Sequence, residues 1–272
     1  MKPLFVLIPF VFVATILVGQ ERPPVPNVGA TLKTEEVIAH DPVMIREDGI
    51  YYLFTTGPGI SVWSSTDRKT WRRQENVFDP YPAWVPRAID DFEGHLWAPD
   101  ISFHEGLYYL YYSASAFGKN TSAIGLATNR TLDPESPQFK WVDHGAIIES
   151  YPGVTPWNAI DPNIATNAEG TPYMTFGSFW GGLKIIELMP DRMGLAECWQ
   201  DIPTIANRRP EEAVMTEEQP SADPGDNAIE APFIFKRGDY YYLFASIDYC
   251  CRGSDSDYKM IVGRSKKLVG PY

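Results

Sequence analysis

Four times along this 272-residue chain a short apolar run, a polar turn and an aromatic run follow one another. The first unit is Val43-Met44-Ile45, a turn at Arg46 to Gly49, then Tyr51-Tyr52-Leu53-Phe54. The second is Trp97-Ala98-Pro99-Asp100-Ile101, a turn at His104-Glu105-Gly106, then Tyr108 to Tyr112. The third has Ile164, a turn at Asn167 to Gly170, then Tyr173-Met174-Thr175-Phe176. The fourth is Phe233-Ile234-Phe235, a turn at Lys236 to Asp239, then Tyr240 to Phe244. Aromatic and β-branched runs split by short Gly- and Asp-containing turns predict β-hairpins. No helical stripe of any length interrupts them, so the fold class is all-β. Four such units are an internal repeat.

An acid heads three of the four units: Asp41 beside Pro42, Asp161 beside Pro162, and Glu230 just before Pro232. Trp97 takes the corresponding place in the second unit. The heads at Asp41, Trp97, Asp161 and Glu230 stand 56, 64 and 69 residues apart. Such steps suit a four-stranded propeller blade with variable loops, since propeller repeats run roughly 40–50 residues. Blades pack radially around a central channel. Equivalent positions therefore face one axis, and the three acids are expected to meet at one mouth of it. An Asp beside a proline more often only shapes a turn. Recurrence at one phase of a repeat favours convergence, and Trp97 shows that folding does not require an acid there.

The flanks and the bulk properties restrict this further. Residues 1–19 carry Lys2 and an apolar run from Leu4 to Val18, about the length of a signal-peptide core and short for a membrane span of about 20 residues. They read as a secretory signal, residues 20–30 as a proline-containing linker, and residues 31–272 as the propeller. Secretion is therefore expected, with no membrane association after signal removal, and a monomer. The stretch from Pro190 to Asp226 is irregular and reads as an insertion. A net charge of −12 argues against nucleic acid or an anionic membrane as partner, because phosphates need a basic face. Three cysteines, Cys198, Cys250 and Cys251, make no disulfide framework. The adjacent pair could be a vicinal disulfide, two free thiols, or half of a bridge to Cys198. Asn120 and Asn129 begin glycosylation acceptor patterns.

Three carboxylates ringed by aromatics suit carbohydrate. Sugar C–H faces stack on rings, while hydroxyls need polar partners. Candidate stacking residues are Trp97, Phe117, Trp157, Phe179 and Trp180. Glycoside hydrolysis needs one carboxylic acid to protonate the leaving oxygen and one carboxylate opposite it. Glu230, with the longer arm, fits the first role and Asp41 the second. Asp161 beside Glu230 would help Glu230 keep its proton, because like charges resist joint ionisation.

The stretches His40-Asp41-Pro42, Trp97-Ala98-Pro99-Asp100-Ile101, Ser113 to Gly118, Asn158-Ala159-Ile160-Asp161-Pro162-Asn163, Gly177-Ser178-Phe179-Trp180, Asn227 to Phe233 and Cys250-Cys251-Arg252-Gly253 closely resemble the endo-arabinanases of glycoside hydrolase family 43. The resemblance spans roughly Ile38 to Tyr272. It implies a five-bladed β-propeller and an inverting mechanism, with Asp41 as general base, Asp161 as pKa modulator and Glu230 as general acid. It implies arabinan, the side chain of plant pectin, as substrate and partner, cut at internal α-1,5 links. His40, Asn158, Ser178 and Cys250 lie in these motifs and join Trp97, Phe117, Phe179 and Trp180 as expected substrate-binding residues. A structural calcium is also implied, with no ligands identifiable here. Only four blade heads are present, so the propeller is expected to be truncated after the fourth blade, and this chain alone to be unstable or inactive. The other readings are an exo-acting arabinofuranosidase or β-xylosidase on the same fold, and a sugar-binding propeller without catalysis.

Overall fold

The structure is a computed structural model, and it describes residues 33–196, 202–208 and 226–272. The expected signal, the linker, Cys198 and much of the expected insertion lie outside those residues. Four antiparallel sheets follow one another along the chain. Blade 1 holds β1 (Lys33–Thr34), β2 (Val43–Glu47), β3 (Ile50–Thr55), β4 (Ser61–Ser65) and β5 (Trp71–Arg73), in the order β1-β5-β4-β3-β2. Blade 2 is β6 (Trp97–His104), β7 (Leu107–Ser115), β8 (Ser122–Asn129) and β9 (Val142–Ser150). Blade 3 is β10 (Asn163–Thr166), β11 (Pro172–Phe176), β12 (Leu183–Glu187) and β13 (Thr204–Ala206). Blade 4 shows β14 (Ile229–Arg237), β15 (Tyr240–Ile247) and β16 (Lys259–Ser265). This is a four-blade propeller arrangement. Among the described residues no helix is long and apolar enough to cross a membrane.

The aromatic runs are continuous rather than alternating because a middle blade is covered on both faces. On β7, Tyr108, Leu110 and Tyr112 pack toward blade 1, in a cluster with Phe54, Ile60 and Leu96. Tyr109 and Tyr111 turn the other way, to Trp157, Met174 and Phe176 of blade 3. All eight residues of β8 are buried. Blades 3 and 4 meet through Ile185, Ile234 and Leu243.

The register of the blade heads differs from the one expected. Asp41, Ala98, Asp161 and Ala231 each directly precede a proline, and all four adopt left-handed backbone, with φ of 50°, 41°, 59° and 53°. Trp97 pairs with Ser113 and Glu230 with Ser246, each ahead of a register shift that contains the kink. Glu230 therefore corresponds to Trp97, one residue before the left-handed position, whereas Asp41 and Asp161 occupy that position. Counting spacings between acids hides this shift, because the proline sets the phase.

A hydrogen bond between successive blades explains how the kink is held. The backbone N–H of Ala98 donates to Thr56 Oγ1 at 2.9 Å, and that of Asp161 to Ser113 Oγ at 3.0 Å. At the next step Gly177 stands where Thr56 and Ser113 stood, with its N–H bonded to Ile160 O as Thr56 N–H is to His40 O. With no hydroxyl there, the carboxylate of Asp161 accepts from Ala231 N–H instead, at 3.1 Å.

Candidate active site

Each acid is placed by bonds to backbone or hydroxyl groups. Thr56 Oγ1 donates to Asp41 Oδ2 at 2.6 Å while it holds Ala98 N–H, so one hydroxyl ties Asp41 to the blade 2 kink. His40 Nδ1 lies 2.8 Å from the same Oδ2. This hydrogen bond is the main cause of a His40 pKa raised above its ordinary value, against an opposing desolvation. Asp41 keeps about a third of its side chain exposed (35%), so solvent reaches it.

Asp161 and Glu230 sit side by side through different partners. Asp161 has its pKa raised well above the carboxylate range, first by burial and then by the negative charges of Glu230 and Asp41. Three acids spread over 190 residues thus repel one another at one place, and the cluster holds a proton that isolated carboxylates would lose. Glu230 Oε2 accepts from Ser178 Oγ at 2.7 Å, and Oε1 from the Tyr258 hydroxyl at 2.8 Å.

Ser178 is delivered by the Gly177–Gly182 turn. Phe179 N–H donates to Ile229 O, and Asn227 Nδ2 to Trp180 O at 2.7 Å, which straps the turn to the head of blade 4. The glycines permit close approach: a Cβ on Gly181 would fall 2.2 Å from Pro156 O, and one on Gly182 2.4 Å from Ala206 O. The glycine cluster was legible in the sequence; its contacts with blades 2 and 3 were not.

The expected substrate-binding residues divide. Phe117 is 75% exposed in the turn between β7 and β8, at the same end as the acids. A cavity of about 390 Å³ opens beside it, lined by Asp90, Asp91, Lys119 and Thr121 among others. Trp97 and Phe179 are part-exposed, and Phe179 contacts the Tyr249 ring at 5.8 Å between centroids. Trp157 and Trp180 are 3% and 5% exposed, so neither offers an open ring face for stacking. Asn158 is also buried, and its Oδ1 accepts from Ser122 Oγ at 2.6 Å. Ser178 is buried against Glu230 rather than presented to the mouth. Both glycosylation acceptor asparagines, Asn120 and Asn129, are buried.

Cys250 and Cys251 form a vicinal disulfide. Cys251 Sγ lies 4.0 Å from His40 Nε2, so this loop of blade 4 reaches the head of blade 1. Sequence reasoning missed Thr56 and Tyr258, because neither stands in a distinctive motif. No group of three or more His, Cys, Asp or Glu side chains among the described residues is arranged to hold a metal.

Residues 35–272 match the glycosyl hydrolases family 43. An extracellular exo-α-(1→5)-L-arabinofuranosidase of Cellvibrio japonicus is 51% identical over 240 residues, covering 88% of this chain and 67% of that protein. An extracellular endo-α-(1→5)-L-arabinanase of Bacillus subtilis is 36% identical over 239 residues, covering 86% and 67%. The structure of a Cellvibrio cellulosa α-L-arabinanase complexed with arabinohexaose superposes with a TM-score of 0.81 at 51% identity, covering 87% of this chain and 73% of that one. With the fold, the three head acids and these matches in agreement, the chain belongs to glycosyl hydrolases family 43.

Proposed function

We propose that the protein is an inverting hydrolase of the α-1,5-L-arabinofuranosidic links of arabinan, cutting within the chain, with Glu230 as general acid, Asp41 as general base and Asp161 as the residue that tunes and orients Glu230. The observation that carries this is the placement of the three head acids together, each held by its own hydrogen bonds. Glu230 gives its proton to the leaving oxygen as the C1–O bond breaks. Asp41, on the opposite side, takes a proton from the water whose oxygen bonds to C1. The product is the inverted anomer. Asp161, held to Ala231 N–H, keeps negative charge or a shared proton beside Glu230. Exposed Phe117 and part-exposed Trp97 at the mouth suit a chain laid across it, and an endo-acting relative is 36% identical over 239 residues. Reading residues 1–19 as a secretory signal accords with the extracellular relatives.

A second reading, release from chain ends, is favoured by the higher identity to the exo-acting relative. Early products from linear arabinan separate the two. A ladder of mixed oligomers supports internal cutting, and one short product from the first minutes supports end release. Glu230→Gln and Asp41→Asn should each lower turnover about 10²–10⁴-fold. Retained activity in either variant would overturn its assigned role. Proton NMR of the first-formed reducing end should show the inverted anomer, and retention would refute the base role of Asp41.

A further inference from the structure

The reading of Glu230 as general acid leaves open what holds its carboxyl and what stabilises it once the proton has gone. We propose that Tyr258 is the positioning residue that holds Glu230 for proton delivery and stabilises the carboxylate it leaves behind; this rests on the acid reading. The phenol hydroxyl lies 2.8 Å from Glu230 Oε1, on the opposite oxygen from Ser178. Both partners are hydroxyls, which can accept as well as donate. The pair therefore serves the protonated acid and also its conjugate base. After transfer both hydroxyls donate to a charge, and charge-assisted bonds are roughly twice as strong as neutral ones. The gain appears as the proton leaves, so it favours the transition state over the bound substrate.

The surroundings fix Tyr258 for this purpose. It directly precedes β16 and is 40% exposed at the mouth. The loop before it is closed at its base, where Tyr249 N–H donates to Asp257 Oδ1 at 2.9 Å and Asp257 N–H to Tyr249 O at 3.2 Å. Arg252 lies over the Tyr249 ring at 4.0 Å, and the vicinal disulfide stiffens the loop between them. Ser246 pairs with Glu230 across β14 and β15. Burial and the Glu230 charge push the phenol pKa up, so it stays a donor through the range in which Glu230 works.

The test is Tyr258→Phe, assayed on linear arabinan and on a 2,4-dinitrophenyl α-1,5-arabinotrioside, whose leaving group needs no proton. On arabinan kcat should fall about 10–100-fold, the worth of one hydrogen bond to a charged group, with KM within about twofold by the uniform-binding criterion. On the aryl substrate the loss should stay under about threefold. The alkaline limb on arabinan should move to higher pH, because a donor to the carboxylate is gone. Equal losses on both substrates, or an unchanged arabinan kcat, would overturn the proposal. Glu230→Gln is run in parallel. Loss on arabinan with activity kept on the aryl substrate upholds the acid reading, whatever Tyr258→Phe shows. Equal loss on both removes that reading and the proposal with it.

Discussion

Thr56 shows how much of the site rests on single hydroxyls. It donates to Asp41 and accepts from Ala98, so Thr56→Val breaks both bonds at nearly constant shape. The expected cost is about 1–2 kcal/mol of stability from the unpaired N–H, read by urea unfolding. Turnover should fall about tenfold or more as Asp41 loses its orientation. Thr56→Ser, which keeps the hydroxyl, should restore most of it. Asp100 is a second single-residue case. It is buried under the blade heads, accepts from Ile164 N–H and Asn163 Nδ2, and burial pushes its pKa up to about 7. An unfolded Asp titrates near ~3.9. Between those values the folded chain binds more protons, so Asp100 makes stability fall as pH rises from about 4 to about 7. Asp100→Asn should flatten that slope, seen as a smaller Tm difference between pH 5 and pH 8. A slope unchanged by the substitution would assign it to other groups.

At the scale of elements, the Gly177–Gly182 turn is the piece on which Glu230 depends. Gly181→Ala drives a Cβ into the Pro156 carbonyl, a backbone group that cannot swing aside. It should cost about 1–3 kcal/mol as overpacking and lower kcat through Ser178, with calorimetry and turnover measured together. Full activity with normal Tm would show that the turn relaxes freely. The hairpins themselves were legible in the sequence, since aromatic runs and Gly-containing turns mark them. The phase of their heads was not. A left-handed residue before each proline inserts a kink, and spacing between acids cannot reveal which side of it a carboxylate lies on. The two tryptophans expected to stack, Trp157 and Trp180, illustrate the same limit. Composition marks them as chemistry-bearing, but only packing shows their rings covered.

At the scale of the whole molecule, blades 2 and 3 pack on both faces, while among the described residues blade 4 shows an exposed apolar face. On blade 4, Phe233, Phe235, Met260 and Val262 are 46%, 52%, 72% and 57% exposed, and Met44 of blade 1 is 46% exposed. Contiguous apolar faces of this kind drive association. For the 272-residue chain they predict concentration-dependent self-association in place of the expected monomer. Light scattering should show mass rising with concentration, and Phe235→Lys with Val262→Lys should suppress it. A constant monomer mass in the unmodified chain would show that the faces are covered in another way.

The sequence by itself determined the all-β class, the fourfold repeat, the acids at its heads and the family. These depend on local patterns: residue period, turn chemistry and ordered motifs. Only the tertiary structure decided which hydroxyl and backbone groups hold each carboxyl, that burial and the neighbouring acids push the Asp161 pKa up, and that the Cys250–Cys251 loop meets His40. Those properties come from burial and from contacts between residues up to 211 positions apart. Their strength depends on ångström distances and on exclusion of water, which no local pattern encodes.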